Sequence, residues 1–234
     1  MAPRSRTECS KGVGITGLRK WAIALTICVL CITVSYYWID RPVAYFVHNE
    51  LRGYRDIFDV ATRLPKLIGP FVTACTLVLG VRAVTRRRLT EIQTAIVLSA
   101  LSLAVSDAPE NWLKFAFGRT WPETWVQDSP SLIHFNPFHG GPGFAAFPSG
   151  HMVAICAIMS VFWVMWARFR PIYAICIATV FIGELGANYH FVSDLVAGGF
   201  LGFSVAWLII ALWNAGTRPI GVESAVPPEK RHEE

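Results

Sequence analysis

The chain is expected to fold as an all-α, polytopic membrane protein with six transmembrane helices, and three observations lead there. Hydrophobic residues make up 53% of its 234 positions and charged residues only 16%, with a mean hydropathy of +0.44, a composition that belongs to integral membrane proteins. Apolar runs recur at residues 21–39, 67–84, 92–105, 147–166, 171–183 and 195–213. Finally, Trp21, Trp38, Trp166, Trp207 and Trp213 fall near the ends of these runs, where an amphipathic ring sits best at the membrane–water interface. Buried helices of a soluble all-α protein, the alternative, have no need of that placement.

The runs differ in character. The first and last approach the ~20 residues that cross a bilayer. Those between are shorter or carry polar positions such as Arg82 and Gln93, and are expected to tilt, snorkel or face other helices. The first run follows a basic arm and could be mistaken for a signal peptide. It exceeds a typical signal core, however, and ends in Tyr36-Tyr-Trp-Ile-Asp40 rather than in small residues, so an uncleaved anchor is expected. The chain then divides into a cytoplasmic arm (1–20), a membrane domain (21–213) and a tail (214–234) whose Pro227-Pro228 and terminal charge run predict disorder.

Basic residues set the orientation. With the N-terminus in the cytoplasm, 14 of the 21 Lys and Arg residues fall inside and seven fall outside, the latter including Arg41, Arg52, Arg55, Arg63 and Lys66 in a presumed loop. The short Arg86-Arg87-Arg88 connection and the Arg168-Phe-Arg170-Pro171 turn weigh most in this count. Both termini are therefore expected in the cytoplasm. The net charge of +5 and pI near 9.0 follow from this asymmetry and call for no nucleic-acid partner; a basic inner rim suits anionic lipid instead.

Five of the six cysteines lie inside apolar runs and Cys9 in the arm. Cys28 and Cys31 are spaced C-x-x-C, but in an apolar helix this reads as packing and not as a redox or metal motif. No internal repeat, heptad seam or glycine-rich nucleotide fingerprint is found.

The outside connection from Ser106 to Phe147 holds Trp112, Trp121, Trp125, Phe115, Phe117, Phe135, Phe138 and Phe144 among prolines and glycines, and is expected to roof a site at the headgroup level, with 111–118 as a short interfacial helix presenting Lys114. His134 and His139 in this stretch are weaker candidates for chemistry. At its end stands Pro148-Ser149-Gly150-His151. A hydroxyl, a glycine and an imidazole in succession can wrap an oxyanion: Ser149 donates, Gly150 lets backbone approach, and His151 carries a proton. Further on, His190 and Asp194 share one face at i, i+4 spacing, which lets the carboxylate hold one imidazole N–H and leave the other nitrogen as a nucleophile. Lys114 and Arg119 precede a turn-forming proline, Pro122. All these motifs fall on one predicted membrane face.

Taken in order, the stretches resemble the type 2 phosphatidic acid phosphatase superfamily, which includes bacterial lipid phosphatases, glucose-6-phosphatase and the soluble vanadium haloperoxidases. The resemblance covers roughly residues 105–200. The family's first motif, Lys, six residues, Arg-Pro, is matched by Lys114 and Pro122, with Trp121 at the arginine position and Arg119 two residues earlier. The second, Pro-Ser-Gly-His, is complete. In the third, Ser-Arg, five residues, His, three residues, Asp, His190 and Asp194 match while Gly183 and Glu184 stand in place of Ser-Arg.

The resemblance implies a metal-independent, cofactor-free phosphoryl transfer. His190 attacks phosphorus, Asp194 orients it, and His151 protonates the leaving oxygen and then activates water; Lys114, Arg119, Ser149 and Gly150 N–H bind the phosphate oxygens. Arg119 is expected to substitute for the missing arginines, and Glu184 to face away from the phosphate or pair with Arg119 or Lys114. The implied substrate is an amphiphile with its phosphate at the outer face, such as phosphatidate, phosphatidylglycerophosphate, undecaprenyl pyrophosphate or a lipid A type glycolipid; no obligate protein partner is implied. Two further readings use the same scaffold: a lipid-to-lipid phosphotransferase, and a catalytically weak lipid-binding or transport protein. A bacterial inner membrane with an extracytoplasmic site is the expected location.

Overall fold

The computed structural model describes residues 15–84, 89–128, 135–138 and 143–216. Among them every regular element is a helix: α1 (Ile15–Val34), α2 (Asp40–Phe46), α3 (Arg55–Val84), α4 (Glu91–Phe117), α5 (Pro122–Asp128), α6 (Gly150–Met165), α7 (Arg170–Gly186) and α8 (Val192–Gly216), with π-helical turns at Ser35–Ile39 and Val47–Leu51. The all-α expectation therefore stands. His134, His139, Ser131, the basic arm up to residue 14 and the tail from residue 217 lie outside the described residues.

Two expectations about elements are corrected. α3 begins at Arg55, well before residue 67, so Arg55, Arg63 and Lys66 ride on a helix and not in a loop. Their charges depress local hydropathy without breaking the helix, because each has a neighbour one turn away or an aqueous face: Arg63 binds Asp59 at 2.9 Å, for example. The separate helix expected at 111–118 is the last part of α4, which starts in a Thr90–Gln93 capping box and runs unbroken to Phe117. Gly118 ends it with φ +53, and a side chain there would strike the backbone of Asn136, whose N–H reaches the Gly118 carbonyl at 2.7 Å. α5, not foreseen, is the element that stands over the site.

α6 is the centre of the bundle. Val153, Ile155, Ala157, Ile158 and Val161 are each at most 1% exposed, so this helix is apolar all round and covered by its neighbours. It packs most closely on α8, where Gly198 and Gly202 form a small-x-x-x-small pair; a Cβ at Gly202 would run into the carbonyl of Val153 and the N–H of Ala157.

Cross-contacts fix the directions. α1 lies antiparallel to α8, with Trp21 Nε1 donating to Ser204 Oγ at 3.0 Å, and Asp40, at the other end, receiving the N–H of Ser193 at 3.0 Å. α3 starts beside the end of α7, where Tyr189 O–H donates to Asp59 at 2.9 Å, and runs down to Thr76 beside Ile96 of α4. The chain thus reverses between α1 and α3 through α2. As a result the end of α4, the starts of α6 and α8 and the end of α7 all meet at one end of the bundle, opposite the first residues of α1 and the last of α8.

Four helical stretches are long and apolar enough to cross a membrane: Thr16–Gly80, Glu91–Phe117, Ala167–Gly186 and Val192–Gly216, the first containing both α1 and α3. α6 is shorter, at 16 residues. The outward faces are apolar, with Leu67, Leu77, Val78 and Ile175 all more than 60% exposed, as lipid contact requires. The molecule is an integral membrane protein.

The tight α6–α8 seam generates a stability prediction. Gly202→Leu should force these helices apart and lower stability by about 1–3 kcal/mol or more, read as a depressed unfolding midpoint in detergent. Gly216→Ala, at a position with open space, should leave that midpoint unchanged.

Candidate functional site

Each motif occupies a helix end at the same pole of the bundle. Ser149 is the N-cap of α6: its Oγ accepts the Met152 N–H at 3.4 Å, and its own N–H donates to the Asp194 carbonyl at 3.1 Å, which ties the start of α6 to the start of α8. The Phe147–Pro148 bond just before it is cis. Gly150 opens α6, and a Cβ there would lie 2.5 Å from Glu110 Oε1 and 3.3 Å from Lys114 Nζ. What the glycine admits is therefore this ion pair, made at 2.6 Å within α4.

His151 follows, 26% exposed along its side chain, with Nδ1 3.3 Å from Glu184 Oε1. His190, in the short connection between α7 and α8, has Nε2 3.4 Å from Glu184 Oε2 and Nδ1 3.6 Å from Asp194 Oδ2. Ser149 Oγ lies 3.5 Å from Glu184 Oε2. Glu184, fully buried near the end of α7, is thus the hub: one carboxylate stands between the two histidines and beside the serine. This corrects the expectation that it turns away or pairs with Arg119 or Lys114. No rule based on sequence spacing joins residue 184 to residue 151; their meeting is tertiary.

Arg119 is also placed otherwise than expected. It is 1% exposed and spans two carboxylates, giving Nη2 to Asp40 at 2.8 Å and Nη1 to Asp194 Oδ1 at 2.5 Å, with Nη1 also 2.6 Å from Ser193 Oγ. Ser193 Oγ in turn donates to Asp40. The Phe191 ring lies against the guanidinium plane, 4.2 Å from centroid to carbon, with Tyr36 and Phe135 farther out. The guanidinium is therefore behind Asp194 and lines neither cavity that reaches the histidines. Asp194, fully buried, gives its other oxygen to the Phe191 N–H at 3.0 Å. A relay of charges results: Asp40, Arg119, Asp194, His190, Glu184, His151. Asp40, which sequence reasoning treated only as the end of a span, is its anchor.

Two cavities meet at the histidines. The larger, about 530 Å³, is walled by Arg55, Lys66, Trp121, Glu184 and both histidines; the smaller, about 390 Å³, adds Glu110, Lys114 and Gly150. Trp121, at the family's arginine position, forms part of both walls, so an aromatic face replaces a charge there. Arg55 is held by Glu123 at 2.8 Å and lies over the Tyr189 ring. Burial and its hydrogen bond to Asp59 push the Tyr189 phenol above its ordinary range, so it remains a donor at neutral pH and holds the α7–α8 connection to α3.

The arrangement can therefore supply a nucleophile backed by a carboxylate, a second imidazole at a helix N-terminus and a donor-rich turn, with both histidines lining the two cavities at one end of the bundle. The crystal structure of the first transmembrane PAP2 type phosphatidylglycerolphosphate phosphatase from Bacillus subtilis superposes on the chain with a TM-score of 0.51 at 15% identity, covering 85% of this chain and 98% of that one, a likeness of fold. No curated protein matches the chain. Residues 95–218, more than half its length and all of the residues just described except Tyr36, Asp40, Arg55, Asp59 and Lys66, match the PAP2 superfamily model, and the chain belongs to that superfamily.

Proposed function

We propose that the chain is a membrane lipid phosphatase that hydrolyses a phosphomonoester or pyrophosphate lipid through a phosphohistidine, at the extracytoplasmic face. One observation carries the reading: His190 and His151 flank a single site with Asp194 behind the first and a Pro-Ser-Gly-His turn around the second. His190 Nε2 attacks phosphorus and the bond from phosphorus to the lipid oxygen breaks, while His151 gives that oxygen its proton. Lys114, the Ser149 hydroxyl and the Gly150 N–H at the start of α6 receive the phosphate oxygens. Water, deprotonated by His151, then cleaves the phosphorus–nitrogen bond and releases phosphate.

Glu184 takes a direct part in this reading. With its Nδ1–H turned to Asp194, His190 presents a lone pair at Nε2 to Glu184 Oε2, and the 3.4 Å contact between these two acceptors is favourable when a proton lies between them. Attack requires that proton to leave, and the other oxygen of the same carboxylate faces His151, the group that must deliver a proton. Glu184 thus sets the nucleophile free by taking that proton, and a second transfer, from the carboxyl to His151 Nδ1, charges the acid. Arg119 is a positioning residue: it holds Asp194, and Asp194 holds His190.

His190→Ala should abolish phosphate release from a panel of lipid phosphates, and His151→Ala should reduce it by ~100- to 10,000-fold. Glu184→Gln should cost ~100-fold or more on the same scale, with activity in EDTA retained and vanadate inhibitory. A carboxylate this close to the nucleophile also favours a second reading, a lipid-phosphate binder of weak activity. It would show as binding of phosphatidate vesicles without phosphate release by the wild type.

Arg119→Ala leaves two buried carboxylates unpaired, a loss of about 3–5 kcal/mol. The expected outcome is a collapsed unfolding midpoint together with lost activity, whereas loss of activity alone would return Arg119 to the phosphate.

On this reading α1, α3, α4, α6, α7 and α8 each cross, so both termini share one side, and the excess of basic residues on that side makes it the cytoplasm and puts the site outside. A Ser131→Cys variant should then react with an impermeant thiol reagent added to intact cells; labelling only after the cytoplasmic face is opened would reverse the orientation.

A further inference from the structure

Resting on the phosphoryl-transfer reading, we infer that Lys66 of α3 is a second cation, beside Lys114, that grips the substrate phosphate in place of the family's two missing arginines.

The cavities at the histidines are bordered by three cations, and two are committed. Arg55 is paired with Glu123 at 2.8 Å and Lys114 with Glu110 at 2.6 Å. Lys66 lines both cavities; Asp59, already bound by Arg63 and Tyr189, attracts its charge from a distance, but among the described residues its ammonium makes no ion pair within 4 Å and no hydrogen bond. It also stands on α3 next to Leu67, which is 69% exposed on an apolar outward face. An unpaired ammonium at such a position is costly and persists where an anion or a water-filled cavity receives it. Here that cavity contains the nucleophile.

The departure from the family's third motif explains how Lys66 gets there. Gly183 stands where the family has serine, and a Cβ at this position would lie 2.8 Å from Ala61 Cβ, 3.0 Å from the Phe58 carbonyl and 3.1 Å from the Thr62 nitrogen. The absent side chain is thus what lets α3 press directly on α7. Thr62 and Lys66 are one turn apart on the same face of α3, so the approach at Gly183 sets Lys66 against the site. Helical side chains lean toward the N-terminus of their helix, which for α3 is the site end. The four-carbon stem then carries the ammonium back toward the histidines. Loss of Ser-Arg from α7 and gain of a lysine from α3 are one exchange.

The test uses the full-length protein in detergent or nanodiscs, with phosphatidate as substrate and orthovanadate as inhibitor and direct ligand. Lys66→Met keeps the stem and removes the charge. It should raise KM and the vanadate inhibition constant by roughly 10- to 100-fold, the scale of one hydrogen bond to a charged group, with the unfolding midpoint unchanged. Lys66→Arg should restore both to within a few-fold. Wild-type values for both constants in Lys66→Met would overturn the assignment and leave the phosphatase reading intact. Should the wild type release no phosphate from any lipid, the phosphatase reading fails and vanadate binding decides alone: binding by the wild type that is lost in Lys66→Met supports the assignment. Equal binding by both proteins, or binding by neither, refutes it.

Discussion

The structure depends above all on one buried cation. Arg119 bridges Asp40 and Asp194 with all three side chains at or below 1% exposure. A lone charge so far from water would cost several kcal/mol even after relaxation, and this one is tolerable only because two carboxylates, a serine hydroxyl and an aromatic face meet it at once. Those partners come from α2, from the first turn of α8 and from the connection before it, so none of these segments can move without leaving a charge unmatched. The hook of α2 back over the bundle, flanked by two π-helical turns, is what brings Asp40 to that point.

From this fixed point the geometry passes outward to the chemistry. Asp194 has one oxygen on the guanidinium and the other on the Phe191 N–H, 3.6 Å from His190 Nδ1. Its orientation is therefore set from behind before the imidazole is reached, as for the carboxylate of any His–Asp catalytic pair. Ser149 N–H on the Asp194 carbonyl locks the turn that carries His151 to the same frame. Two histidines from distant parts of the chain are thereby brought within 3.4 Å of one carboxylate, Glu184, with the apolar contact of α6 on α8 supporting the frame.

Much of this was legible in the sequence, and the failures have physical causes. Hydropathy found the apolar cores of α1, α6, α7 and α8, because there the apolar run and the helix nearly coincide. It missed the first part of α3, where Arg55, Asp59, Arg63 and Lys66 face water, a partner or a cavity and lower the average without disturbing the helix. Motif spacing found Lys114, Ser149, Gly150, His151, His190 and Asp194 and placed them at one pole. It went astray at Arg119, since a motif specifies residue type and order but not the direction of a long side chain. Nor could it show Asp40 or the meeting of Glu184 with His151, which arise only when α2 and α7 are packed against the rest.

The departures at Trp121, Gly183 and Glu184 make sense together as a change in how the cavity is charged. Arg55 and Lys114 are each cancelled by a glutamate in contact, leaving Lys66 opposite Glu184 and the two histidines to set the balance. Beside an incoming phosphate, an ionised Glu184 would repel about 4 kcal/mol per unit charge at ~4 Å for an effective dielectric of ~20. The same carboxylate lies within 3.4 Å of an imidazole nitrogen on either side, so one proton held in the His151–Glu184–His190 group removes most of that repulsion. A site built on fixed arginines attracts phosphate whatever its own protonation. On the proposed mechanism the attraction here depends on where a proton sits, and that proton is the one the leaving group receives.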